Sequence, residues 1–255
     1  MKMQTDTKGA FDSFAPYYQL LTDEVDYERW FDYLNKIRSY HTFSGFSEGG
    51  DIKNAEILDV ACGTGELTGM VAAAGARVTG VDFSPEMLTV CEGNLREKKL
   101  KCRLLLSDMR DFKENRLYDF AYCACDGMNY IPAKDTQRVF ENLSGMLKKG
   151  SVFTFDIIKP SNFDRGGNAL EVFDYKDCLL TIRRHKKDDM LVTNLEVKTP
   201  SETKNILTRQ YPLSKEQILH YSKESGLALA GWYDFMSFDE KDTQTDKIQV
   251  VLIKS

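Results

Sequence analysis

Long apolar runs are missing from this sequence: no stretch approaches the ~20 residues that a membrane-spanning helix needs, and the opening "MKMQTDTKGAFDSF" has no apolar leader core. A cytoplasmic chain with no membrane partner is therefore expected. Repeats, low-complexity tracts and Pro/Gly-rich linkers are also absent, so nothing divides the 255 residues into independent units. Excess basic charge is lacking too. Lys and Arg number 34 against 39 Asp and Glu, a net charge of −5, which gives no overall attraction to phosphate backbones or anionic lipid. A small-molecule substrate is favoured over nucleic acid, and the chain is expected to work as a monomer or homodimer. Cysteines are few and scattered, at positions 62, 91, 102, 123, 125 and 178. They do not form a disulfide framework, and the single C-x-C at Cys123 and Cys125 has no second Cys/His pair at ligand spacing. Reduced thiols and no metal site follow.

What is present is an ordinary globular balance, 42% hydrophobic and 29% charged, arranged as alternating strands and helices. "EILDVA", "RVTGVD", "CRLLLSD", "YDFAYCA" and "SVFTFDII" read as strands. Between them lie "ELTGMVAAAG", stopped by Gly75, "SPEMLTVCEGNLREKK", with Ser84 as N-cap and Pro85 at the first helical position, and a helix at about 133 to 147. This alternation predicts a parallel sheet with helices on both faces. Upstream, "DYERWFDYLNKI" is an amphipathic helix capped by Asp26, preceded by the aromatic-rich "FDSFAPYYQLL" and followed by a loop, "SGFSEGGD". Residues 160–213 break the pattern with three or four antiparallel strands around the turn "KKDD". A helix, "SKEQILHYSKESG", and an antiparallel pair, "LALAGWYDF" and "KIQVVLIK", end the chain. The expected fold is an α/β, Rossmann-like, seven-stranded and mainly parallel sheet with the last strand antiparallel, plus an inserted antiparallel β lid. One domain, 1–255, is expected: an N-terminal helical cap (1–50), a core (51–159 and 214–255) and the insertion (160–213).

The stretch "ILDVACGTGEL" places a G-x-G loop after the first strand, where backbone can approach either the pyrophosphate of a dinucleotide or another adenosine cofactor. Thr68 stands where a dinucleotide fingerprint has its third glycine, and Asp82 stands near the place of the ribose-binding acid. Asp59, inside the first strand, would repel a pyrophosphate and suit a cationic amino group, while Asp108 offers an acceptor for an exocyclic amine. All three acids fall on the sheet edge where open α/β folds bind ligands.

Together "LDVACGTGELT", "VTGVDFSPEML", "LLSDMRDF" and "YDFAYCACDGMNYI" resemble, in order and spacing over residues 56–131, the motifs of class I S-adenosylmethionine-dependent methyltransferases. The N-terminal "FAPYYQLLTDEVDYERW" resembles a bacterial subgroup related to sugar and small-amine methyltransferases. The resemblance implies S-adenosyl-L-methionine as cofactor and S-adenosyl-L-homocysteine as product. It implies that Ala61, Gly63 and Gly65 let backbone approach the methionine part, that Asp59 reaches its amino group directly or through water, and that Asp82 binds the ribose. It further implies an adenine site of Phe83, Met109, Asp108 and Met87, Cys123 and Ala124 behind the sulfonium, and closure by Tyr18 and Trp30.

For the acceptor, Asp126 ranks first as base or anchor and Tyr130 second, because both follow the fourth strand. A turn-capping role for Asp126 is the plainer alternative. His185 reads as a hairpin residue, His220 as a helix residue and His41 as a loop residue without a partner; Arg209 and Tyr211 are placed to reach the acceptor. Methyl transfer to O or N of a small molecule leads. A tRNA- or rRNA-modifying methyltransferase, an NAD-binding oxidoreductase and a non-catalytic cofactor sensor are the alternatives.

Overall fold

The computed structural model describes residues 7–42, 52–165, 169–240 and 245–255. The loop read at "SGFSEGGD" lies outside the described residues. Helices α1 (Thr7–Phe14), α2 (Tyr18–Thr22) and α3 (Tyr27–His41) lead into β1 (Glu56–Val60), α4 (Glu66–Ala73), β2 (Arg77–Asp82), α5 (Pro85–Glu97), β3 (Arg103–Leu106) and β4 (Tyr118–Cys123). Next come α6 (Ala133–Met146), β5 (Leu147–Ile158) and α7 (Pro160–Arg165). Strands β6 (Ala169–Tyr175), β7 (Cys178–Lys187), β8 (Met190–Lys198) and β9 (Thr203–Gln210) precede α8 (Lys215–Glu224), β10 (Leu227–Asp234) and β11 (Lys247–Lys254).

The main sheet runs β10-β11-β5-β4-β1-β2-β3. From β5 to β3 every neighbour is parallel, and β11 is antiparallel to both β5 and β10. The seven-stranded, mainly parallel sheet with its reversed last strand matches the sequence expectation. Buried side chains lie on both of its faces. Phe153, Phe155 and Phe140 pack on one side, and Trp30, Ile37, Ile57 and Val78 on the other. Apolar runs on both faces of parallel strands explain why β1, β2 and β4 read as continuous rather than alternating.

Local signals behave as their chemistry demands. Asp26 accepts from the Arg29 N–H at 2.9 Å at the start of α3, and Ser84 from the Met87 N–H at 3.1 Å at the start of α5. Ser214 and Gln217 close a reciprocal capping box on α8. Two local expectations shift, and one aromatic-rich stretch takes on defined elements. The aromatic "FDSFAPYYQLL" forms parts of α1 and α2 joined by a 3-10 turn with Pro16 in it, because its side chains pack on the β6–β9 sheet rather than along one helical period. The third strand ends at Leu106, two residues short of Asp108, where backbone turns to satisfy the Asp108 carboxylate. His41 is the last residue of α3, not a loop residue, and its Nε2 lies 3.1 Å from the Tyr233 hydroxyl.

Strands β6–β9 form a separate antiparallel sheet in sequential order. Asn129, fully buried, ties it to the core: its amide donates to the Tyr211 carbonyl just after β9 at 2.9 Å, and its side-chain oxygen accepts from the Ile158 N–H at the end of β5, also at 2.9 Å. The site lies between the two sheets.

Candidate active site

The carboxyl ends of β1, β2, β3 and β4 open into a cleft of about 780 Å³. Its floor is the glycine loop. Ala61 (φ 59°) and Gly63 (φ 54°) both adopt left-handed backbone and both line the cleft. A Cβ added to Gly63 would meet no atom within 4 Å, so the loop leaves a cradle open at that point. Gly65 works differently. It lies behind the cleft as the residue preceding α4, with φ 82°, and a Cβ there would stand 2.3 Å from Cys91 Sγ.

Asp82, at the end of β2, lines the cleft and accepts the N–H groups of Gly63 and Ser84, each at 2.9 Å. Burial pushes its carboxyl up to about 6, against the lowering effect of these backbone donors. Phe83, Met87, Met109 and Ala124 line the same cleft, as does Asp108. Arg110 holds both oxygens of Asp108, at 2.6 and 2.9 Å. Burial raises the Asp108 carboxyl, and the Arg110 bonds and charge outweigh it, leaving it below the usual range.

Asp59 and Cys123 are not on the cleft surface. Asp59 is buried beneath the loop and accepts from Thr68 Oγ1 at 2.5 Å and from the Tyr122 hydroxyl at 2.7 Å; burial drives its carboxyl up to about 7 despite both bonds. The place of a third glycine is thus taken by a hydroxyl that satisfies a buried acid. Cys123 is buried under Gly127, where a Cβ would come within 2.6 Å of its sulfur.

A second cavity, about 610 Å³, adjoins the first. Phe11, Tyr18, Cys125 and Tyr130 line both. Trp30 lines only this second cavity, and so does Asp126. Asp126 does not cap the short 3-10 turn that follows it. Its carboxylate instead accepts from Lys247 Nζ at 2.6 Å and from the Gln210 side chain, while its backbone N–H donates to Asp156 Oδ2 at 2.9 Å. Lys247 also reaches Asp156 Oδ2 at 2.9 Å. Burial alone would lower the Lys247 ammonium, but Asp126 and Asp156 reverse this and hold it well above its ordinary value. Cys125 (φ 55°) and Asp126 (φ 49°) are consecutive left-handed residues other than glycine, a strained pair where the cavities meet. The Tyr130 phenol is pushed far up by burial and then by the Asp126 charge.

Sequence reasoning missed Lys247, Asp156 and Gln210, whose only visible signal was polar side chains inside otherwise apolar strands. It missed Phe11 as well. That ring packs edge-on to Phe83 and Tyr130, at 5.7 and 5.0 Å, and α1 is held there by the Ser84 hydroxyl donating to Asp12 at 2.6 Å. Arg209 and Tyr211 line the first cleft, and Gln210 between them turns to the second cavity, as strand alternation requires. Among the described residues no histidine lines either cavity and no group of three or more His, Cys, Asp or Glu is placed to hold a metal ion.

This fold gathers acids and glycines at the strand ends of one sheet edge, an arrangement able to hold a nucleoside cofactor. A methyltransferase-domain family model matches residues 57–150. A solved S-adenosylmethionine-dependent methyltransferase from Clostridium acetobutylicum ATCC 824 is 25% identical, with a TM-score of 0.83 over 96% of this chain and 99% of that one. A putative methyltransferase from Geobacillus sp. (strain WCH70) is 28% identical over 148 residues, 58% of this chain and 57% of that protein, so the chain spans little more than half the length of this curated relative. An S-adenosylmethionine-bound amino pentose methyltransferase from Micromonospora echinaspora shares the fold, with a TM-score of 0.71 at 16% identity over 93% of this chain and 95% of that one. Residues 57–150 thus match a methyltransferase domain, and the fold of the chain is shared with a solved S-adenosylmethionine-dependent methyltransferase. No described helix is long and apolar enough to cross a membrane.

Proposed function

We propose that the protein transfers a methyl group from S-adenosylmethionine to oxygen or nitrogen of a small molecule, with the cofactor in the 780 Å³ cleft and the acceptor in the 610 Å³ cavity. The observation that carries this reading is the shared wall: two cavities of ligand size meet at Phe11, Tyr18, Cys125 and Tyr130. Bound there, the cofactor supplies an already activated methyl on a cationic sulfur.

The residues do the positioning. Ala61 and Gly63 present open backbone to the methionine part. Asp82, held by two N–H donors, accepts from the ribose hydroxyls. Phe83, Met87 and Met109 cover adenine, and Asp108 accepts its amine with the carboxylate orientation fixed by Arg110. Asp59 and Gly65 act from beneath, by fixing the loop's shape, and Asp59 bears on the amino group through its charge rather than by contact. Ala124 backs the transferring methyl, and Cys123, buried under Gly127, supports that wall from beneath. Tyr18 closes the cofactor side and Trp30 the acceptor side. Asp126 and Tyr130 face the acceptor, and in-line placement of this kind lowers the barrier by ~7–11 kcal/mol. Six free cysteines support a reducing, cytoplasmic setting.

A thermal-shift titration tests the cofactor assignment. S-adenosylhomocysteine at 100 times its Kd stabilises by about 2.7 kcal/mol, a rise of roughly 5–10 °C for a chain of this size. NADH leaves the midpoint unchanged. A rise with NADH and none with S-adenosylhomocysteine overturns the proposal.

A further inference from the structure

The inner face of the β6–β9 sheet is graded, and its register says how. Ile182 pairs with Leu195 and Leu195 with Ile206, making one cross-strand row of three branched apolar side chains. Two residues along, Arg184, Thr193 and Thr208 make the next row. Two further, the row is mixed: Leu191 pairs with Gln210, and the Gln210 side chain reaches the Asp126 carboxylate. All eight of these sheet residues line the 610 Å³ cavity. At ~3.3 Å per residue, the apolar row lies about 13 Å from Gln210. The apolar end is deepened by Phe14, which packs with Ile182, Leu195 and Ile206 in one buried cluster. The polar end carries Asp126 against Lys247, with Asp246 also on the wall and Asp156 buried behind, while Arg184 of the middle row is paired with Glu171.

From this gradient we infer that the acceptor is an amine carried on an elongated apolar body, alkyl or aryl, and not a polyhydroxylated one. The tail lies on the Ile182–Leu195–Ile206 row and the nitrogen beside Asp126. The inference rests on the methyltransferase reading above. Nitrogen is favoured over oxygen because neither cavity has an imidazole among the described residues, and because Tyr130 and Lys247, which face the acceptor, keep their protons. An alcohol would find only the Asp126 carboxylate to take its proton, and that carboxylate is already engaged by Lys247 and Gln210. An ammonium matches the acidic end on entry and gives its proton to solvent. The neutral nitrogen then forms a bond to the methyl carbon as the carbon–sulfur bond breaks, leaving a neutral thioether and a methylated ammonium.

Three probes test it: 4-phenylbutylamine, 4-phenyl-1-butanol and glucosamine. Calorimetry in the presence of S-adenosylhomocysteine reads binding, and mass spectrometry with S-adenosylmethionine reads methylation. The expected result is binding of 4-phenylbutylamine at least tenfold tighter than glucosamine, methylation of the amine and none of the alcohol. Ile206→Thr weakens 4-phenylbutylamine about tenfold while leaving S-adenosylhomocysteine affinity unchanged. Asp126→Asn weakens the amine more than the alcohol. The rate rises about tenfold per pH unit up to the acceptor's own pKa. Preference for glucosamine overturns the apolar body, methylation of the alcohol overturns nitrogen, and failure of 4-phenylbutylamine to bind beside bound S-adenosylhomocysteine overturns both. Failure of S-adenosylhomocysteine itself to bind is a different result, since it removes the underlying methyltransferase reading.

Discussion

Two residues of the cofactor edge permit direct tests. Gly65 combines a left-handed φ of 82° with the 2.3 Å approach of its missing Cβ to Cys91 Sγ, so Gly65→Ala suffers backbone strain and overlap together. The expected cost is about 2–4 kcal/mol. Cys91→Ala in the same chain removes the sulfur and leaves only the strain, so the pair is less destabilised than the sum of the singles; urea denaturation of all four proteins measures this, and simple additivity would refute the contact. Asp82 gives a pH test. Its carboxyl stands at about 6 and would accept from ribose hydroxyls only when ionised. Binding therefore favours the ionised form and releases a proton. S-adenosylhomocysteine affinity is expected to be level above pH ~7 and to fall towards tenfold per unit below ~6, whereas Asp82→Asn binds weakly with a flat profile. Calorimetry from pH 5 to 8 checks both.

Between elements, the decisive contact is Asn129, whose two side-chain bonds join the end of β5 to the segment after β9. Asn129→Leu keeps the branched shape at a larger volume and removes the side-chain partners of the Ile158 N–H and the Tyr211 carbonyl, at a cost of about 2–4 kcal/mol. Accelerated hydrogen exchange at the Ile158 amide locates the loss, and unchanged exchange there would show that the two sheets are held by other means. This contact also marks the limit of what sequence reveals. Ser84, Pro85, Asp26 and the strand–helix alternation were legible because each acts on backbone within four residues of itself. The glycine loop and Asp82 were legible because turn geometry and acid spacing are local as well. Asp126, Asp156, Gln210 and Lys247 meet from four separate segments, and no local period announces the meeting. Within the expected helical cap, the boundaries of the short helices before α3 were not legible for a related reason: their apolar side chains face another sheet, so their burial follows a tertiary surface rather than a 3.6-residue stripe.

For the whole molecule, the buried acids set how stability varies with pH. Asp59 and Asp82 have folded values of about 7 and about 6, raised from the ordinary carboxylate range chiefly by burial, and Asp156 is raised in the same direction. The folded state then holds more protons than the unfolded chain between about pH 4 and 7, so stability falls as pH rises through that window. Asp108 and Asp234 run the other way. Burial is outweighed by Arg110 at the first and by Lys159 and Thr245 at the second, and their contribution is present above the unfolded carboxylate range and lost as pH falls through it. His41, lowered by burial, adds a smaller opposing slope near neutrality. Through pH 4–7 the contributions of Asp59 and Asp82 therefore decline as pH rises. Asp59→Asn isolates one contribution, because its side-chain oxygen can still accept from Thr68 and Tyr122. At ~1.4 kcal/mol per pKa unit, this variant should equal the parent near pH 4 and exceed it by a few kcal/mol at pH 8. Urea midpoints at the two pH values decide the matter: a variant less stable than its parent at pH 8 would mean that the buried Asp59 carboxylate is a net support of the fold and not a cost of the loop's design.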